Sequence, residues 1–99
     1  FLQGLLLLKK SERPEKFNYW SDLWHLWDSW LEDMGVTALE ATLCFVLSEP
    51  CISKVIIGVD SLDQLKEILI ASDKKVSFYP DGLITKDTNL INPSKWNLL

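Results

Sequence analysis

The sequence predicts an α/β fold in which buried parallel strands alternate with helices, in the order strand, helix, helix, strand, helix. Three observations predict it. Residues 1–8 form an almost unbroken apolar run without helical spacing, the character of a strand buried on both faces of a parallel sheet. Val55-Ile56-Ile57 is a short β-branched run between Lys54 and Gly58, which predicts a second buried strand over 54–58. Two further stretches space their apolar residues by three and four, the period of amphipathic helices, and between them lies a third helical stretch that is apolar around most of its girth.

The first helix is expected over 18–34, where Trp20, Leu23, Trp24, Trp27, Trp30, Leu31 and Met34 form the apolar stripe. The opposite face carries Ser21, Asp22, Asp28, Ser29, Glu32 and Asp33, and Gly35 is placed to end the helix in a left-handed conformation. A tryptophan stripe at this spacing reads as packing rather than as a stacking platform. Thr37-Ala38-Leu39-Glu40 is a capping box that opens a second helix over 37–48, closed by Pro50. Ser61-Leu62-Asp63-Gln64 is a second such box, and Leu62, Leu65, Ile68 and Leu69 mark the stripe of a third helix over 61–72. Beyond Asp73 the signals are a turn at Pro80-Asp81-Gly82 and an isolated Trp96 that plugs a groove.

Two strands alone do not make a stable parallel sheet. The chain also opens inside an apolar run, without methionine, so residues 1–99 are expected to be one incomplete domain, a fragment dominated by helix when isolated. Composition narrows the partners. The 99 residues carry ten Lys and Arg against fourteen Asp and Glu, a net charge of -4, which argues against nucleic acid. No apolar run approaches the length of a membrane span, and nothing resembles a secretory leader. Cys44 and Cys51 are not spaced as zinc ligands, and His25 is the one histidine. Two free thiols and a cytoplasmic setting are the expectation, with a bridge between the two cysteines as the alternative.

The middle of the chain carries a resemblance. Ala38-Leu39-Glu40-Ala41-Thr42-Leu43-Cys44-Phe45-Val46-Leu47-Ser48, then Val55-Ile56-Ile57-Gly58-Val59, then Ser61-Leu62-Asp63-Gln64-Leu65 resemble the last two strand–helix units of aldo/keto reductases. The opening Phe1-Leu2-Gln3-Gly4-Leu5-Leu6 is similar to that family's seventh strand, and Asn92-Pro93 to Trp96 resembles the tails of its bacterial sugar-modifying relatives. The resemblance covers nearly the whole chain and is strongest in its middle third. It implies the C-terminal part of a (β/α)8 barrel of the triosephosphate isomerase type. It also implies an oxidoreductase that reduces aldehydes and ketones with NADP or NAD. The family's catalytic Asp, Tyr, Lys and His lie on its first four strands, so no catalytic residue is assigned here, and Tyr19, Tyr79 and His25 lie outside the matching motifs. The partners implied for the full-length protein are the nicotinamide cofactor and a small carbonyl substrate.

What the resemblance implies for this chain is cofactor contact. Leu2, Gln3 and Gly4 match backbone that lies along the pyrophosphate. Gly58 ends a strand that feeds a capped helix, whose amides and positive dipole end suit a phosphate. Asp60 stands where the family often holds a serine, lysine or arginine near the adenosine 2'-phosphate. Gln64 and Glu67 match residues that touch the adenosine. Two departures favour NAD over NADP: Asp60 would repel a 2'-phosphate, and Ile68 replaces an asparagine that contacts adenine. The bland alternatives are a turn and helix-start role for Asp60 and solvated positions for Gln64 and Glu67. A second functional class stands beside the first: a helical module without catalysis that self-associates into a homo-oligomer through the tryptophan helix and exposed strand edges. A small acidic binding protein with an aromatic groove at Trp20 to Trp30 ranks third.

Overall fold

The computed structural model describes residues 2–99, so the part of the expected first strand at Phe1 lies outside the described residues. Contacts divide the chain into two units, one of residues 1–35 with 79–99 and one of residues 36–78. Among the described residues both are helical and neither contains a strand, which overturns the expected α/β barrel portion.

In the first unit, residues 2–8 are not a strand. Leu2, Gln3 and Gly4 all take positive φ (53°, 55° and 83°), and a short 3₁₀ turn follows over Leu5–Leu7. A lone apolar strand has no ladder to receive its amides, and the run satisfies them locally instead. The amides of Leu5, Leu7 and Leu8 donate to the carbonyls of Leu2, Gly4 and Leu5 at 3.1, 3.0 and 3.3 Å. Left-handed backbone at Leu2 and Gln3 costs roughly 1–2 kcal/mol per residue. Burial of Leu5 opposes that cost.

A 3₁₀ stretch over Glu15–Trp20 leads into α1, Ser21–Met34. Trp24, Trp27 and Trp30 are buried, and Gly35 ends α1 in the left-handed conformation (φ 65°), its amide donating to the Glu32 carbonyl at 3.1 Å. The Trp24 indole N–H donates to the Phe17 carbonyl at 3.0 Å, and Trp20 donates to the Asp87 carboxylate at 3.0 Å. The Arg13 guanidinium sits over the Trp24 ring and forks onto both carboxylate oxygens of Asp28, at 2.5 and 2.8 Å. The tail closes on the same unit. Trp96 meets Phe17 edge-on at 4.9 Å and donates at 2.8 Å to the carbonyl of Leu90, in the short helix α4, Thr88–Ile91. The Trp27 and Trp30 rings stack at 5.8 Å, and their buried indole N–H groups find no acceptor among the described residues.

The second unit holds α2, Ala38–Leu47, packed on α3, Leu62–Ala71. The capping box at Thr37 forms as expected: the Glu40 amide donates to Thr37 Oγ1 at 3.1 Å, and the Thr37 amide donates to the Glu40 carboxylate at 3.0 Å. Ala41, Thr42, Leu43 and Cys44 are buried on α2. Cys44 Sγ accepts from the Val76 amide at 3.2 Å, which pins the segment after α3. Cys44 and the exposed Cys51 are free thiols.

The expected second strand over 54–58 is also overturned. Residues 54–59 carry no helix, turn or ladder, and their backbone groups make no backbone hydrogen bonds within the described residues. Val55 is half-buried, while Ile56 is 96% exposed. The β-branched run expresses strand character, but no neighbouring strand lies in the described chain to complete a ladder.

Thr37→Ala is expected to lower stability by about 1 kcal/mol in urea denaturation, with Thr37→Ser close to the parent, since serine keeps the capping oxygen. Equal losses for both variants would show that the box does not hold α2.

Candidate functional site

The residues expected to meet a cofactor fall into two groups, one in each unit. Leu2, Gln3 and Gly4 form the left-handed turn that opens the first unit, and Gly58, Asp60, Gln64 and Glu67 lie at and beside the start of α3 in the second. Within the first group the carbonyls of Leu2 and Gly4 are already accepting from Leu5 and Leu7. The space where a side chain would stand on Gly4 is open, with no atom within 4 Å. Three successive positive-φ residues are a departure from ordinary backbone, and the sequence points to this only at the glycine.

The second group is built by two side chains that close one turn. Ser61 is the N-cap of α3, with extended backbone (φ -149°, ψ 160°), and its Oγ accepts from the Gln64 amide at 3.2 Å. The Gln64 side chain does not return to the Ser61 amide, as a full capping box would have it. It reaches one residue further back, and Gln64 Oε1 accepts from the Asp60 amide at 2.8 Å. The five residues from Asp60 to Gln64 are therefore tied at both ends. The amides of Leu62 and Asp63 make no hydrogen bond within the described residues, as the first amides of a helix have no carbonyl of their own to reach.

Gly58, Asp60, Gln64 and Glu67 are all exposed, and nothing stands within 4 Å of the position of a Cβ on Gly58. The charge here is acidic. Asp60 precedes the cap, Asp63 lies in the first turn, and Glu67 follows one turn later. Asp63 is not among the residues that the resemblance singles out, and its signal in the sequence is its place two positions after the cap, where a carboxylate favours the helix dipole. A monoanionic group or a ribose hydroxyl suits such a rim better than a dianionic phosphate, which two nearby carboxylates repel.

Tyr19 and His25 are exposed in the first unit. No group of three or more potential metal ligands occurs among the described residues, nor is any described helix long and apolar enough to cross a membrane. No family model, curated protein or solved structure matches the chain.

Gln64→Ala removes the acceptor for the Asp60 amide while leaving the Ser61 cap in place. Hydrogen exchange at Asp60 is expected to quicken by roughly three- to tenfold, the value of a hydrogen bond of about 1 kcal/mol, with α3 retained by circular dichroism. An unchanged exchange rate would show that Gln64 does not order the turn.

Proposed function

We propose that this chain is the adenosine-side part of a nicotinamide-dependent oxidoreductase that reduces aldehydes or ketones, inactive alone because none of its residues matches the proton donor of the family it resembles. The observation that carries this reading is the turn from Asp60 to Gln64. It is the stretch in which the resemblance to aldo/keto reductases is strong, and in the structure Ser61 and Gln64 order it around the unbonded amides of Leu62 and Asp63.

In this reading the α3 amides receive a phosphate oxygen, while Gln64 and Glu67 lie along the adenosine. Gly58 leaves room for close approach of the dinucleotide. Asp60 and Asp63 disfavour the extra charge of a 2'-phosphate, so NAD is preferred to NADP. The substrate is a small carbonyl compound, and its pocket belongs to residues outside this chain. A cytoplasmic setting accompanies the reading: reduced nicotinamide is consumed there, and two free thiols suit a reducing compartment.

Fluorescence titration of NADH and NADPH with the full chain tests this. NADH is expected to bind saturably and about tenfold more tightly than NADPH, the equivalent of ~1.4 kcal/mol of charge repulsion. Asp60→Ser is expected to narrow that gap. Absence of saturable binding of either dinucleotide would overturn the reading, and equal affinities in both proteins would remove the role given to Asp60.

A further inference from the structure

The segment from Lys54 to Asp60 has a symmetry that neither the helices of its unit nor the dinucleotide reading uses. It reads Lys54-Val55-Ile56-Ile57-Gly58-Val59-Asp60. Laid antiparallel against itself about Ile57, it matches at every position. Lys54 meets Asp60 at both ends, Val55 meets Val59 twice, Ile56 covers Gly58 twice, and Ile57 meets its own copy. We propose that this segment is an association site, at which a second copy of the chain pairs with it as an antiparallel two-stranded ribbon.

Three observations point to that occupant. The backbone of residues 54–59 makes no hydrogen bonds to other backbone among the described residues, so its donors and acceptors are open to a partner strand. All its φ angles are negative, which is compatible with pairing, and the side chains show strand alternation: Val55, Ile57 and Val59 are less exposed than the outward-facing Ile56, at 96%. The third is charge complementarity. Opposite charges at the two ends of one segment meet when it pairs with itself antiparallel, whereas a parallel copy sets Lys54 beside Lys54 and Asp60 beside Asp60.

The Gln64 contact also selects the hydrogen-bonding phase. The Asp60 amide already donates to Gln64 Oε1 at 2.8 Å. Asp60 therefore belongs to a pair whose amides point away from the partner, the closely spaced kind in which facing side chains approach most nearly. Counting inward, Ile57 with its own copy and Val55 with Val59 are then the hydrogen-bonded pairs. Six backbone hydrogen bonds result by that arithmetic, three from each chain's Val55, Ile57 and Val59 amides. On the outer face Ile56 shields the bare backbone of Gly58 in the partner.

The ribbon shares Gly58 and Asp60 with the dinucleotide reading but does not rest on it, and its test contains no nucleotide. Sedimentation equilibrium of the full chain over roughly 5–500 µM is expected to show a reversible monomer–dimer equilibrium, in the range of weak interfaces. Lys54→Asp and Asp60→Lys each set like charges against each other at both ends and are expected to weaken the dimer about tenfold. The double variant Lys54→Asp/Asp60→Lys restores opposite charges and is expected to recover the parent constant, with circular dichroism confirming the helices of all four proteins. A monomer throughout for the parent overturns the proposal, as does a dimer indifferent to the single swaps or one that the double swap fails to restore.

Discussion

A backbone amide or carbonyl in an apolar segment must find a partner or remain in water, and this requirement shapes both units. Helices meet it internally, because each amide reaches the carbonyl four residues back. An apolar run of strand character meets it only through a neighbour. Residues 2–8 resolve the problem by coiling into a left-handed turn and a 3₁₀ turn, at the cost of positive φ at Leu2 and Gln3. Residues 54–59 leave it unresolved, with Ile56 almost wholly in solvent.

The first unit shows the same rule applied to side chains. Its tryptophans bury large apolar areas, but each also brings an N–H that requires an acceptor. Trp24, Trp96 and Trp20 find theirs in the Phe17 carbonyl, the Leu90 carbonyl and the Asp87 carboxylate, and these bonds link α1 to the stretch before it, the tail to itself, and that stretch to the tail. Trp27 and Trp30 are buried without an acceptor among the described residues, a cost of roughly 1–3 kcal/mol each. Their stacking with one another and the contact of Trp30 with Tyr79 offset part of it. Trp24, Trp27 and Trp30 are buried, so these three rings do not form an exposed surface for self-association.

Periodicity made α1 and α3 legible, and the capping box with the stop at Pro50 did so for α2, because these signals and the hydrogen bonds lie in the same residues. The expected spans 18–34, 37–48 and 61–72 contain or overlap α1, α2 and α3, and the caps at Thr37, Ser61 and Gly35 fall where their side chains or backbone freedom predict. The strands over 1–8 and 54–58 failed for the complementary reason. A β-branched or leucine-rich run states a preference, but a strand exists only with a ladder, and the sequence of one run does not contain its partner. At the candidate site, the Ser61 cap was readable from Ser-x-x-Gln. The reach of Gln64 past Ser61 to Asp60 was not, since it depends on the entry angle of the chain into α3. The Arg13–Asp28 fork, fifteen residues apart, carries no local signal.

Residues 54–59 hold a strand's preferences without a strand's partner among the described residues, and in the proposed ribbon a second copy supplies it. Residue-resolved hydrogen exchange of this segment, measured at low and at high protein concentration, tests it most directly. Fast exchange is expected throughout in dilute solution and, on concentration, slowing at Val55, Ile57 and Val59 but not at Ile56 and Gly58. Protection already present in dilute solution, or fast exchange at every concentration, would contradict it.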